Sequence, residues 1–144
     1  MANTASLAEL LELEVAGPMP LLSAVRHGLP VRTLDGLARQ LAPEDQMFAF
    51  RIVPRATLAR RRKETGRGRD GRLSPEESTR LARVASVWAM ALEVWGDEDA
   101  ARRFMFDPHP LLDGRRPIDV VLENELGRPV VEGILGRLKF GSAV

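Results

Sequence analysis

The sequence predicts an all-α protein built from two modules. Apolar residues recur at spacings of three and four along the chain, and no run alternates strictly between apolar and polar residues. Spacings of three and four are typical of amphipathic helices, whereas strict alternation is typical of half-buried strands, so helices are favoured. A glycine-rich stretch interrupts the pattern near the middle. We therefore predict an N-terminal helical module at 1–65, a linker at 66–73 and a small C-terminal helical module at 74–144.

The composition is that of a folded globular chain. Of the 144 residues, 44% are hydrophobic and 28% are charged, as in ordinary globular domains. Cysteine is absent, which excludes disulfides, a thiol nucleophile and Cys-based metal sites. No stretch reaches the roughly 18 apolar residues that span a bilayer, and the N-terminus lacks the pattern of a secretory signal. We expect a cytoplasmic protein with no membrane partner.

Positive charge is concentrated in one segment. Residues 51–72 contain nine basic and two acidic residues, a balance of +7, whereas the whole chain has a formal net charge of +1. The rest of the chain is therefore acidic. A basic segment on an acidic body indicates contact with nucleic acid or with an acidic protein partner.

Five helices are predicted before the linker, and the first two are short, at about Ser6 to Val15 and Pro20 to Arg26. Of the other three, the first begins at Thr33 and ends before Pro43, since the residue before a proline is disfavoured in a helix. Its apolar face contains Leu34, Leu37, Ala38 and Leu41. The second runs from Pro43 through Phe50, because a proline followed by two acids is typical of a helix start. The third is Arg55 to Lys63.

The C-terminal module opens on a strong helix signal. Ser74 to Glu77 places a capping serine, a proline at the first helical position and a glutamate that can close a capping box. Gly96 is placed to end this helix in the left-handed conformation. One apolar stripe, predicted to be core, contains Leu81, Val84, Ala85, Trp88, Leu92 and Trp95.

Three shorter helices follow in the prediction. Asp97 begins the first, and the second lies around Ile118. The last carries apolar residues from Val130 to Leu138. Gly133 and Gly136 interrupt it, and since each glycine weakens a helix by about 1 kcal/mol relative to alanine, we expect both to permit close backbone approach.

The helices between Thr33 and Lys63 have the spacing of a helix-turn-helix reader of DNA, with a basic third helix. In that interpretation the third helix contacts bases or phosphates. The candidate DNA-binding residues are Arg55, Thr57, Arg60, Arg61, Arg62 and Lys63. Two other interpretations stay open, namely a solvated basic face and a binding surface for an acidic partner.

Catalytic and cofactor chemistry is not favoured. Residues 66–71 match the three-glycine dinucleotide fingerprint in form, but that fingerprint needs a buried strand before it, and the preceding residues are Arg60 to Lys63. His109 lies near Asp107 and Asp113 without a second histidine, so we interpret it as a hydrogen-bonded loop residue and not as a metal ligand. We expect no enzyme, no cofactor and no metal; an enzyme around Asp107 to Asp119 is the alternative.

A series of motifs resembles antitoxins of the Xre/MbcA/ParS type, which carry a C-terminal toxin-binding domain. The resemblance covers about residues 54–141, and its motifs occur in the family's order. They are PRATLARRR at 54–62, RLSPEES at 72–78, RVASVWAMALEVWGDEDAARRF at 83–104, PLLDGRRPIDVV at 110–121, ENELG at 123–127 and VVEGILGRLKFG at 130–141.

The resemblance implies a type II antitoxin that binds and neutralises a RES-domain toxin, forms a homodimer and represses its own operon. RES toxins act on NAD, by degrading it or by ADP-ribosylation, and the antitoxin itself needs no cofactor. In related complexes the C-terminal segment covers the toxin's active-site cleft, so the implied contacts are Arg137, Lys139, Phe140 and Gly141. Packing of Phe140 back onto Leu138 is an equal alternative for that side chain. A stand-alone helix-turn-helix regulator is the alternative function.

Overall fold

The structure, a computed structural model, describes residues 4–11, 17–65 and 71–141. Over these ranges the backbone forms helices and no β-strand, apart from one isolated antiparallel bridge between Pro30 and Arg72. The all-α prediction is confirmed. The α-helices are α1 Thr4–Leu10, α2 Pro18–His27, α3 Val31–Leu41, α4 Arg55–Thr65, α5 Pro75–Trp95, α6 Glu98–Phe106, α7 Pro117–Glu123 and α8 Gly127–Phe140. Short 3₁₀ helices occupy Phe48–Arg51 and Pro110–Leu112.

The chain divides into two compact units at a point inside α5. The N-terminal unit is Thr4–Ala82, and the C-terminal unit contains Arg83–Val144. The sequence-based limits of 1–65, 66–73 and 74–144 stay a prediction, because most of the predicted linker, residues 66–70, lies outside the described residues.

The core of the N-terminal unit collects the apolar face of α3. Leu34, Leu37 and Leu41 are buried there, as the three-and-four spacing predicts. Helices α2 and α4 and the 3₁₀ helix Phe48–Arg51 add further apolar side chains. The other buried residues of these elements and their connections include Leu21, Val25, Leu29, Phe48, Ile52, Val53, Leu58 and Leu73.

An extended segment before α5 is hydrogen-bonded to the connection between α2 and α3. The Leu73 amide donates to the Leu29 carbonyl at 2.8 Å, and the Val31 amide donates to the Gly71 carbonyl at 2.9 Å. The Leu29 amide in turn donates to the Ser78 hydroxyl of α5 at 2.8 Å. These bonds give partners to backbone groups that are buried from water.

The start of α5 has the predicted capping box. The Glu77 amide donates to the Ser74 hydroxyl at 3.1 Å, and the Ser74 amide donates to Glu77 Oε1 at 2.7 Å. Each side chain therefore satisfies an amide that the first helical turn leaves without a backbone partner. The predicted helix start is confirmed.

Two helix predictions in the N-terminal unit are wrong. Helix α3 begins at Val31 with Pro30 as its N-cap, not at Thr33, which is buried inside the helix. The predicted helix from Pro43 through Phe50 is reduced to turns and the 3₁₀ helix Phe48–Arg51. Asp45 Oδ1 accepts the Met47 amide at 2.9 Å, and this local bond offers the backbone an alternative to helix.

The C-terminal unit contains the second part of α5 together with α6, α7 and α8. Val84, Ala85 and Trp88 of the predicted stripe are fully buried. Trp95 is 43% exposed, so its prediction as core is wrong. It is the last residue of α5, and Gly96 follows with φ +67°, so the indole lies at the end of the helix, where Phe104 of α6 covers it only in part.

Arg83 attaches α5 to the end of α7. Its Nε donates to the Val121 carbonyl at 2.7 Å and its Nη2 donates to the Leu122 carbonyl at 3.3 Å. The last carbonyls of a helix have no partner within the helix, so the guanidinium supplies donors to the end of α7. Asp97 caps α6 as predicted, accepting the Ala100 amide at 2.9 Å.

Close backbone approach in this unit occurs at Gly127, not at the two predicted glycines. A Cβ added to Gly127 would overlap the Val120 carbonyl oxygen of α7. Gly133 has no atom within 4 Å of such a Cβ, and Gly136 has only the Met90 methyl at 3.9 Å. The prediction for Gly133 and Gly136 is therefore wrong, because helix periodicity does not reveal which face of α8 meets a neighbour.

The substitution Gly127→Ala should lower the free energy of unfolding by about 1–3 kcal/mol, the usual cost of overpacking a closed site. Gly133→Ala is the matched control. It should raise the stability by about 0.5–1 kcal/mol, because the exposed site has room for a methyl group and alanine favours the helix. Urea unfolding followed by circular dichroism measures both. Equal effects of the two substitutions would contradict the packing at Gly127.

Candidate functional site

Helix α4 lies on the surface of the N-terminal unit and is attached to it by one buried apolar side chain, Leu58. The connection before α4 is fixed by Arg80, whose Nη1 donates to the Ile52 carbonyl at 2.5 Å. Most of the remaining side chains of α4 are exposed. The helix therefore presents its basic residues to solvent on a firmly positioned backbone.

Arg61 is an exception, because its guanidinium is bound inside the unit. Nη1 donates to the Arg72 carbonyl at 2.6 Å, and Nη2 pairs with Glu77 Oε1 at 3.1 Å. Its side chain is 18% exposed, and Nε is buried without a hydrogen-bond partner. The backbone of α4 also lies close to the segment before α5 here, since a Cβ at Gly71 would overlap the Arg61 carbonyl oxygen. Arg61 thus connects α4 to the capping box of α5.

Two more of the predicted DNA-binding residues have partners in the N-terminal unit. Arg62 pairs with Asp35 of α3 at 2.7 Å, with half of its side chain exposed. The Arg55 guanidinium lies 4.4 Å from the centre of the Phe50 ring, and its Nη2 contacts Met47 Sδ at 3.3 Å. These arginines are held in place but remain on the surface.

Arg60 and Lys63 are the freest cations of α4. Both are exposed, and no side-chain partner for either is found among the described residues. Thr57 is half-buried and lies one turn before Arg60. The six predicted residues therefore lie on one helix, and the five cations among them divide into Arg60 and Lys63 without a described partner, the surface-paired Arg55 and Arg62, and the internally bound Arg61.

Helix α8 carries an exposed stripe in the C-terminal unit. Leu126, directly before the helix, is 76% exposed, Val130 is 50% exposed and Phe140 is 66% exposed. With Gly133 and the exposed Arg137 these positions recur at intervals of four and three, which places them on one side of the helix. We call these five residues the α8 stripe. Phe140 does not pack back onto the core.

Lys139 and Gly141, two of the other predicted toxin contacts, end the helix. Lys139 forms an ion pair with Glu93 of α5, and its Nζ lies 5.4 Å from the centre of the Phe140 ring. The hydrogen bond from Lys139 lowers the pKa of the Glu93 carboxyl. The stabilisation that this pair gives the fold is therefore fully present at pH values above the ordinary glutamate pKa. It is lost as the pH falls through the lowered pKa of Glu93. Gly141 follows with φ +87°.

A pocket of about 260 Å³ opens at the junction of α5 and α6 in the same unit. Trp95 and Phe104 form part of its wall with their rings tilted and 6.3 Å apart, and His109 meets the edge of Phe104 at 5.9 Å. The lining residues are Trp95, Ala100, Arg103, Phe104, Asp107, Pro108 and His109. This pocket was not predicted from the sequence, because the spacing of Trp95 is equally that of a core residue.

The region proposed as an alternative enzyme site has structural partners. His109 Nδ1 accepts a hydrogen bond from the Leu111 amide at 3.1 Å, which confirms the interpretation of His109 as a hydrogen-bonded loop residue. Asp119 is paired with Arg116 at 2.8 Å. No group of three or more potential metal ligands is found in the described parts of the chain. Likewise no described helix is long and apolar enough to cross a membrane.

Comparison with known proteins gives matches to both halves of the chain. The family described as Antitoxin Xre-like helix-turn-helix domain matches residues 20–86, and the Antitoxin Xre/MbcA/ParS C-terminal toxin-binding domain matches residues 90–141. A relative from Yersinia enterocolitica, Antitoxin Xre, is 32% identical over 123 residues, which are 84% of this chain and 79% of the relative. The chain belongs to the Xre antitoxin family. It is an antitoxin of a toxin–antitoxin system, as the motif resemblance implied.

Both candidate surfaces lie inside domains that match the family. Helix α4 lies within the helix-turn-helix match, and the match begins at residue 20, well before the region in which the sequence motifs were found. The α8 stripe and the pocket at Trp95 lie within the match to the toxin-binding domain. The antitoxin therefore has a helix-turn-helix domain followed by a toxin-binding domain.

Truncation of the internally bound arginine, Arg61→Ala, should destabilise the antitoxin by about 1–3 kcal/mol, because it leaves the buried Glu77 carboxylate without its cation. Arg60→Ala removes the same charge from the neighbouring, exposed position and should change stability by no more than about 0.5 kcal/mol. Urea unfolding of both variants checks this. A stable Arg61→Ala protein would refute the structural role of Arg61.

Proposed function

We propose that this antitoxin neutralises a RES-domain, NAD-consuming toxin by covering its active-site cleft with the end of α8, and that it represses its own operon as a homodimer in the cytoplasm. The observation that carries the first part is the exposed α8 stripe inside a domain matched to toxin-binding domains. The RES class of the toxin and the dimer rest on the motif resemblance described above.

The α8 stripe has the chemistry of a protein-binding face. Leu126, Val130 and Phe140 expose apolar side chains along one side of the helix, and exposed apolar patches with polar residues around them mark protein interaction sites. Arg137 adds an exposed cation between them, and aromatic and arginine side chains are the usual anchors of protein interfaces. A toxin that binds NAD must attract its phosphates, so the cleft offers a place for a cation such as Arg137.

Lys139 and Gly141 complete the proposed contact in a different way. The ion pair of Lys139 with Glu93 holds the last turn of α8 against α5. Lys139 thereby fixes the position from which Phe140 is presented. The positive φ of Gly141 lets the chain turn away directly after Phe140. We therefore assign direct toxin contact to Arg137 and Phe140, and positioning to Lys139 and Gly141.

The function is tested by the reading frame beside the antitoxin gene, which we expect to encode a RES-domain protein. Its expression alone should lower cellular NAD or ADP-ribosylate a target protein and stop growth, and co-expression of the antitoxin should restore growth. Native mass spectrometry of the purified complex gives the stoichiometry. Failure of the two proteins to bind, or of the antitoxin to restore growth, would reject the proposal.

Removal of the exposed ring by Phe140→Ala should weaken toxin binding about 10- to 100-fold, the effect of deleting an interface anchor. Met19→Ala is the control, because Met19 is 69% exposed and Phe140 is 66% exposed, but Met19 lies on α2. Isothermal titration calorimetry with the purified toxin measures both. Equal affinities for the wild type and Phe140→Ala would remove Phe140 from the interface.

Operator binding is proposed for the exposed side of α4. Arg60 and Lys63 are the leading phosphate contacts because they have no competing partner among the described residues. Arg55, Thr57 and Arg62 are further candidates for DNA contact. Arg61 acts indirectly, by attaching α4 to the capping box of α5. A stand-alone regulator is the alternative function, and it would bind operator DNA without binding the toxin.

Arg60→Ala and Lys63→Ala should each weaken binding to the promoter of the antitoxin's own operon and reduce the slope of log K against log salt concentration by about 0.9, the value for one lost phosphate contact. Arg115→Ala, which removes a cation of the C-terminal unit, should leave the slope unchanged. Fluorescence anisotropy over a salt series supplies the measurement. Unchanged slopes for both α4 variants would exclude them as phosphate contacts.

A further inference from the structure

The pocket at Trp95 lies apart in sequence from the α8 contacts and has no assigned role. Its wall is made by the end of α5, by α6 and by the loop that begins at Asp107. Trp95, Phe104 and His109 provide three rings, of which Phe104 meets the other two, Trp95 in a tilted and His109 in an edge-on arrangement. The exposed part of the Trp95 indole, 43% of the residue, is therefore held in place by its neighbours.

The rim of the pocket carries two charged groups of opposite sign without partners. Arg103 and Asp107 are exposed, and neither side chain has an ion pair or hydrogen bond with the described residues. The adjacent Arg102 behaves differently, since it pairs with Glu98 at 3.0 Å and with Asp99 at 2.8 Å. Glu98 and Asp99 are thus used by Arg102, and Arg103 keeps its five donors for a group from outside.

The size of the pocket restricts its occupant. A volume of about 260 Å³ is below the roughly 300–1,000 Å³ of ordinary cofactor and small-molecule pockets. It suits one large side chain. A rigid aromatic wall with an arginine at its edge is also the composition found where a protein partner inserts an anchor residue.

We propose that this pocket receives one large apolar or aromatic side chain of the toxin, with a toxin carboxylate beside it that pairs with Arg103. The inference rests on the proposed function, because the toxin is chosen as occupant on the ground that residues 95–109 fall inside the match to the toxin-binding domain. Asp107 accepts a hydrogen bond from the same toxin segment. The toxin is then held at two places, at the α8 stripe and at the pocket.

The test uses the full-length antitoxin and the purified RES-domain protein encoded beside it. Trp95→Ala removes a wall of the pocket, Ala100→Phe fills it, and Arg103→Glu reverses the charge at its rim. Each should raise the dissociation constant at least about 10-fold. Leu111→Ala and Arg39→Glu are matched controls at exposed positions outside the pocket, and they should stay within about 2-fold of the wild type.

The outcomes separate this inference from the proposed function. Binding of the wild type together with unchanged affinity of Ala100→Phe and Arg103→Glu overturns the pocket assignment and leaves the antitoxin function intact. Failure of the wild type to bind the toxin overturns both. A change in the oligomeric state of the free antitoxin in these variants, measured by native mass spectrometry, would assign the pocket to a second copy and also contradict the proposal. Arg103→Glu keeps the test decisive if a pocket variant does not fold, because Arg103 is a surface residue.

Discussion

The N-terminal unit depends on the extended segment Gly71–Ser74, which is hydrogen-bonded to three elements at once. Its backbone groups pair with the chain between α2 and α3, its Arg72 carbonyl accepts from Arg61 of α4, and Ser74 shares the capping box with Glu77. Because each of these bonds replaces water at a buried or half-buried polar group, losing one leaves its partner unsatisfied. The orientation of α4, and with it the basic surface, follows from this segment.

The features that sequence predicts well are those whose cause is local. The capping box at Ser74 and the N-cap at Asp97 are formed by residues three positions apart, and the face of α3 follows from its own periodicity. The failures have tertiary or competing local causes. Asp45 bonds to the backbone two residues on and replaces a helix by turns, while Trp95 has the spacing of a core residue but lies at the end of α5, where its neighbours leave 43% of it exposed.

The candidate surfaces show the same division. A row of cations on α4 can be read from the sequence, but Arg60 and Arg61 have identical chemistry. What distinguishes them is Glu77 and the Arg72 carbonyl, which approach Arg61 only after the chain has folded. On α8 the exposed positions of Val130 and Phe140 depend likewise on which side of the helix meets α7. The family motifs indicated the toxin-binding domain and the end of α8, but not Leu126, Val130 and Gly133 on the exposed face.

Gly133 has a consequence for the specificity of the proposed complex. In the free protein no atom lies within 4 Å of a Cβ added to this residue, so the fold has room for such a group, and in the proposed complex the bound toxin would meet it. Specificity between similar partners is commonly achieved by a clash that one partner can accommodate and the other cannot. In the proposed complex, an antitoxin with a bulky residue at this position would be compatible only with a toxin that has a matching hollow.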